Sequence, residues 1–127
     1  MKKFLIFLLS IYLANDLNAQ TKWGSDSVTC ITNLSLYREY YKQKNYDDAL
    51  SPWRWTFLNC PQSSGNIYKN GPVIIKSKMK KDKANRAAYV DTIMLIYDKR
   101  IQYFGKEGFV LGLKGSSSQC HFIKGHI

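Results

Sequence analysis

Three cysteines, at positions 30, 60 and 120, carry the most reactive side chains in the sequence. The predicted first helix begins near Cys30 and the second ends near Cys60, and in an antiparallel hairpin those two ends are neighbours. A disulfide between them would close a span of about 30 residues and contribute roughly 3–4 kcal/mol, mainly by restricting the unfolded chain. Two reduced cysteines, packed as small hydrophobic side chains, fit the sequence equally well. In either case Cys120 has no second cysteine with which to pair.

Residues that could support catalysis or bind a metal are few and poorly spaced. The two histidines, His121 and His126, lie near the C-terminus without a positioned pair of carboxylates beside them. The sequence has no CxxC or HExxH motif and no glycine-rich phosphate loop. Asp47 and Asp48 open a predicted helix, where acidic side chains interact favourably with the helix dipole. We therefore expect no enzymatic activity, no cofactor and no metal site.

The first twenty residues have the pattern of a bacterial export signal. Two lysines precede an apolar run over 4–13, and Ala19 supplies the small residue that signal peptidase requires. We predict a signal peptide over 1–19, with an uncleaved N-terminal anchor as the alternative. The apolar run is shorter than the roughly 20 residues that span a bilayer. Export would place the protein in the periplasm or cell envelope of a Gram-negative bacterium, where disulfides form.

The segment over 28–60 has the pattern of a helical hairpin. Apolar side chains recur at helical spacing in both halves, with a polar turn near Asn45 between them. The predicted helices cover 28–43 and about 47–59, and Pro61 prevents the second from continuing. The stripe of the second helix contains Tyr46, Ala49, Leu50, Trp53 and Phe57.

Two residues of the second helix do not follow this pattern. Pro52 costs about 3 kcal/mol in a helix interior, and we favour a kinked but continuous helix over a fresh start capped by Ser51. Trp55 points away from the stripe that contains Trp53. We expect Trp55 to contact the next pair of helices.

This hairpin resembles a tetratricopeptide repeat (TPR), and the run YYKQKNYDDAL is typical of that family. Tyr37 and Thr56 depart from the pattern, because the family prefers a small residue at each position. The chain is similar to the N-terminal regions of exported TPR-type proteins of Bacteroidota. That resemblance implies an all-α fold of antiparallel hairpins, as in an α-solenoid, and a scaffold role without catalysis. The matching residues are Leu36, Tyr40, Tyr46, Ala49, Trp53 and Pro61.

The resemblance to a TPR weakens after the first hairpin. A third helix is predicted over 67–81, interrupted at Gly71, with Pro72 as an alternative first residue. A fourth over 83–104 carries an apolar stripe, and Gly105 suits a left-handed C-cap. The predicted organisation is a signal peptide (1–19), a TPR-like region (20–115) with a first hairpin (28–60), a degenerate second hairpin (67–104) and the start of a third (107–115), and an irregular tail (116–127).

The loss of periodicity after Gly115 suggests a further hypothesis. A solenoid usually needs three or more repeats and a capping element. The chain would then be the N-terminal piece of a longer repeat protein, with residues 116–127 introduced by a premature stop or a frameshift.

The leading functional hypothesis is recognition of other proteins or peptides. In helical arrays the first helices of successive hairpins line a concave face. For the two tyrosines of the candidate face, ordinary packing is an equally good interpretation. The candidate residues for this face are Asn33, Tyr37, Arg38 and Tyr41.

The alternative hypothesis rests on charge. The 127 residues form one small domain with a formal net charge of +10, which favours acidic partners or anionic surfaces. Export makes nucleic acid an unexpected partner, so a basic patch would bind anionic lipid or glycan at a membrane surface without spanning it. A solvated helix face is the simpler interpretation of the same lysines. The patch consists of Lys76, Lys78, Lys80, Lys81 and Lys83.

Overall fold

The structure, a computed structural model, describes residues 22–124 and the side chains of residues 22–117. The predicted signal peptide lies outside the described residues. Within them the regular structure is helical and contains no strand, which confirms the expected all-α class. The helices are α1 (Ser27–Lys42), α2 (Tyr46–Asn59), α3 (Asn66–Lys81), α4 (Arg86–Phe104) and α5 (Glu107–Lys124).

Each helix packs mainly against its neighbours in sequence, so that α1 contacts α2, α2 contacts α3, and so on to α5. Short connections favour such antiparallel neighbours. The arrangement agrees with a succession of helical hairpins, in which each unit buries its apolar face against the next.

The first hairpin has the caps that its sequence predicts. The Asp26 carboxylate accepts a hydrogen bond from the Thr29 backbone N–H at 2.9 Å, and Asn45 accepts from the Asp48 N–H. Between the helices Lys44 has a positive φ of 57°, the left-handed conformation of a tight turn. The predicted boundaries of α1 and α2 are therefore confirmed to within one residue.

Trp53 joins the first hairpin to α3. Its side chain is 2% exposed, and its indole N–H donates to the Ile67 carbonyl oxygen at 2.8 Å. Its ring stacks on Phe57, with the centroids 5.3 Å apart, and Phe57 contacts Tyr68 of α3. The Tyr68 hydroxyl in turn donates to the Pro61 carbonyl at 2.8 Å. One aromatic cluster thus fixes α3 against α2.

Both internal prolines lie within continuous helices. The expectation for Pro52 is confirmed in this respect, because α2 runs unbroken through it. The predicted interruption at Gly71 and Pro72 is wrong, since α3 begins at Asn66 and continues to Lys81. Gly71 has a packing role instead: a Cβ there would lie 2.6 Å from Cζ2 of Trp53. Burial of α3 against Trp53 offsets the cost of the proline that follows.

The fourth helix begins three residues later than predicted. The Asp82 carboxylate accepts from the side-chain amide of Asn85 at 2.9 Å and from its backbone N–H, forming a turn that separates α3 from α4. The apolar stripe of this helix is buried at Ile93, Ile96 and Tyr97. At the other end Gly105 has the expected positive φ, 70°.

The predicted irregular tail is wrong for the part that the structure describes. Helix α5 starts at Glu107, as the apolar pattern indicates, but continues through the serine run to Lys124. Packing against α4 supports this longer helix: Val110 is fully buried, and the Ser117 hydroxyl lies 3.5 Å from that of Tyr97. Residues 125–127 lie outside the described residues.

Of the two alternatives for Cys30 and Cys60, a disulfide or two reduced side chains, the structure has the disulfide. Cys30 and Cys60 are bonded, with their Cα atoms 6.2 Å apart, and both side chains are fully buried. The bond joins the start of α1 to the C-cap of α2, as antiparallel pairing predicts.

We predict that removing this disulfide destabilises the protein by about 3–4 kcal/mol, because the unfolded chain regains loop entropy. The variant is Cys30→Ala/Cys60→Ala in a Cys120→Ser background, compared with the Cys120→Ser protein in urea unfolding followed by circular dichroism. Adding reductant to the parent should produce a similar loss. Equal stability of the oxidised and reduced parent would contradict the prediction.

A second prediction concerns the contact between Gly71 and Trp53. Gly71→Ala should lower the free energy of unfolding by about 1–3 kcal/mol, because the new methyl group displaces a buried indole ring. Gly112→Ala in α5 is the matched control, since a Cβ there meets nothing within 4 Å. The control should be neutral or gain up to about 1 kcal/mol from helix propensity. If both variants behave alike, the close contact does not constrain the fold.

Candidate protein-binding surfaces

A groove of about 390 Å³ follows the outer side of α2, and we call it the α2 groove. Its floor and walls come mostly from one helix, with a single contribution from α1. The lining residues are Asn33, Asp47, Leu50, Ser51, Arg54, Trp55, Leu58 and Asn59.

The α2 groove exposes apolar surface beside a cation. Leu58 is 68% exposed, and Trp55 and Leu50 are only half-buried. Arg54 lies on the same side of the helix and is exposed. A single exposed leucine is ordinary, but apolar side chains that line a concave surface together with a polar group are typical of binding sites.

The structure places only one residue of the predicted binding face in this groove. Asn33 lines it, and its amide donates to the Thr29 carbonyl oxygen at 2.9 Å. Arg38 is exposed outside the groove. Tyr41 is half-buried and packs on Tyr46, with the ring centroids 5.5 Å apart. The predicted set is therefore not brought together on one exposed surface.

The assignment of Tyr37 to an exposed face is wrong. Its side chain is fully buried, because it shares a helical stripe with Cys30, Leu34 and Tyr41, which faces α2. Burial of the side chain raises the pKa of Tyr37 to about 12. Packing, the alternative interpretation of this tyrosine, is the one that the structure supports.

The expected role of Trp55 is also corrected. Trp55 lines the α2 groove, while the contact with the following helices belongs to Trp53. The groove residues Leu50, Arg54 and Leu58 are spaced four apart, which is the spacing of neighbours on one helix face. That spacing is a sequence signal for the groove, but it overlaps the Trp53 stripe at Leu50.

The predicted basic patch is divided by Asp47. Lys78 Nζ lies 2.9 Å from Asp47 Oδ1, and Lys81 pairs with the other carboxylate oxygen. These two lysines thus connect α3 to the start of α2. The remaining lysines of the patch, at positions 76, 80 and 83, are exposed and have no carboxylate partner among the described side chains.

The hydrogen bonds from Lys81 and Lys78 lower the pKa of Asp47 below its ordinary value. The hydrogen bond to Asp47 correspondingly raises the pKa of Lys78. Asp47 also lines the α2 groove. These ion pairs therefore keep its carboxylate ionised at one end of that groove.

The described residues contain no group of three or more His, Cys, Asp or Glu side chains arranged to hold a metal ion. In the same part of the chain, no helix has the length and apolar composition needed to cross a bilayer. No protein-family model, curated protein or solved structure matches this chain.

We predict that Asp47 contributes to the acid sensitivity of the fold. Its folded-state pKa is depressed, so its contribution is present above the ordinary value of 3.8 and is lost as the pH falls through the lower folded-state pKa. Asp47→Asn should therefore reduce the fall in Tm between about pH 5 and pH 2. Asp91→Asn is the control, because Asp91 is exposed and forms no ion pair with the side chains that the structure describes. Identical Tm profiles for Asp47→Asn and the parent would show that these ion pairs add no stability.

Proposed function

We propose that the protein is an exported helical-repeat scaffold of the TPR type that binds other proteins through the α2 groove. The observation that carries this proposal is the exposed Leu58 next to the half-buried Trp55 and the exposed Arg54 in a concave surface. Tryptophan and arginine are the residues most enriched among the energetic hot spots of protein interfaces.

The rigidity of the first hairpin supports the proposal. The Cys30–Cys60 disulfide fixes one end of α2, and the Asp47 ion pairs hold the other. Trp53 anchors the middle of the helix to α3. A groove on a helix held at both ends loses little entropy when a partner binds, which favours affinity.

The chemistry of the groove defines its partner. An apolar side chain, supplied by a helical or extended peptide, would cover Leu58 and Trp55. A carboxylate or carbonyl group of the same peptide would face Arg54, whose guanidinium has only donors. This is recognition by surface complementarity, and it requires no catalytic residue and no cofactor.

The disulfide also supports an exported location. Disulfides persist in oxidising compartments such as the periplasm and are rare where thiols are kept reduced. A buried Cys30–Cys60 bond is therefore compatible with the export signal expected from the N-terminal sequence.

We predict that a photo-crosslinking amino acid at position 58 captures a defined partner in the source bacterium. Trp55→Ala in the same protein should remove the adduct, because truncating an interface hot spot costs about 2 kcal/mol or more. The crosslinked partner is identified by mass spectrometry, purified and titrated against the parent and the Trp55→Ala protein.

The control for this experiment places the crosslinker at Leu95 on α4, which is 46% exposed and lies outside the groove. It should not capture the same partner. The proposal fails if positions 58 and 95 give the same adducts, or if Trp55→Ala leaves the affinity of the purified partner unchanged.

A further inference from the structure

A second concave surface lies where α3 ends and α4 begins. Lys80, Lys83 and Arg86 line an open cavity of about 360 Å³ together with Met79. We call these four residues the basic corner. The three cations come from the last turn of α3, the connecting loop and the first turn of α4, so three separate segments direct positive charge to one place.

One carboxylate, that of Asp82, lies close in sequence to the three cations of this corner, so positive charge remains in excess there. Asp82 is the one acidic residue between positions 76 and 86, and it accepts hydrogen bonds from Asn85 and Tyr89. Asp47 pairs with Lys78 and Lys81, outside the cavity lining. Three cations that converge beside a single carboxylate still repel one another, and an anion that binds between them relieves the repulsion.

Interaction with helix dipoles does not account for the arrangement. Cations in the last turn of a helix are favoured by its dipole, and this explains Lys80. It does not explain Arg86 or Lys83, which lie in the first turn of α4 and just before it, near the positive end of that helix dipole. The first turn of α4 contains no acidic residue either. Local stability would favour the opposite charge at these positions.

We propose that the basic corner binds an acidic segment of a partner protein, an extended stretch with closely spaced Asp or Glu residues. The cavity lies near the lower end of the size range of ligand sites, about 300–1,000 Å³, and fits a few side chains of a peptide. Because the surface is concave, a peptide chain can enter it, whereas a flat bilayer cannot follow its shape. Met79 and the lysine stems provide apolar walls for the methylene groups of glutamate.

The basic corner is a different surface from the α2 groove and shares no lining residue with it. Its chemistry also specifies the charge of the partner. The two surfaces are tested independently. Loss of the crosslink at position 58 depends on Trp55, whereas binding at the basic corner depends on none of the groove residues.

The test is fluorescence anisotropy of a fluorescein-labelled peptide of alternating Glu and Ser, titrated with the purified protein. A peptide with Gln in place of Glu should not bind. The triple variant Lys80→Gln/Lys83→Gln/Arg86→Gln should weaken binding of the acidic peptide by about tenfold, since each exposed ion pair contributes a small amount.

The matched control removes the same charge elsewhere, with Lys22→Gln/Lys69→Gln/Lys106→Gln. These three lysines are exposed and distant in sequence from the corner, so the control should keep most of the affinity. Equal weakening in the two triple variants overturns the proposal, because net charge alone would then explain binding. Circular dichroism and Tm establish that both variants fold.

A membrane surface is the other anionic partner to be tested. Phosphatidylcholine vesicles containing phosphatidylglycerol are titrated with the parent and the two triple variants in a flotation assay. The proposal is overturned if the vesicles bind in a manner that depends on the basic corner while the acidic peptide does not. Binding of the acidic peptide without such vesicle binding supports it.

Discussion

The burial of Trp53 between α2 and α3 is the contact on which the rest of the fold depends. Its indole N–H satisfies the Ile67 carbonyl oxygen, and its ring lies against Gly71, where a larger residue would not fit. Through Phe57 and Tyr68 the same cluster extends to Tyr103 and Phe104 of α4. This cluster is the buried contact that positions the first hairpin against the helices that follow, and the ion pairs of Asp47 add a partly exposed one.

The disulfide and the Asp47 ion pairs act at opposite ends of α2. The covalent bond ties the C-cap of α2 to α1 and stabilises mainly by restricting the unfolded chain. The ion pairs with Lys78 and Lys81 join the start of α2 to the last turns of α3, and their partly exposed positions limit what they contribute. Together they hold the helix that presents the α2 groove.

The two candidate surfaces follow from the same construction. Because α2 directs one stripe towards α1 and α3, its opposite side remains available, and Leu58 is left uncovered there. The basic corner arises because the turn at Asp82 brings Lys83 and Arg86 next to the end of α3. Both surfaces are therefore formed by helix ends and outer faces that the core does not use.

The sequence by itself determined the helical class, the bounds of the first hairpin and the neighbouring positions of Cys30 and Cys60, because helical periodicity, caps and proline are local signals. It did not determine that Tyr37 is buried, that α3 passes through Pro72, or that α5 continues beyond Gly115. Those outcomes depend on which faces of different helices meet, and contacts between segments distant in sequence override local propensity. Only the tertiary structure could decide which lysines pair with Asp47 and which have no carboxylate partner among the described side chains.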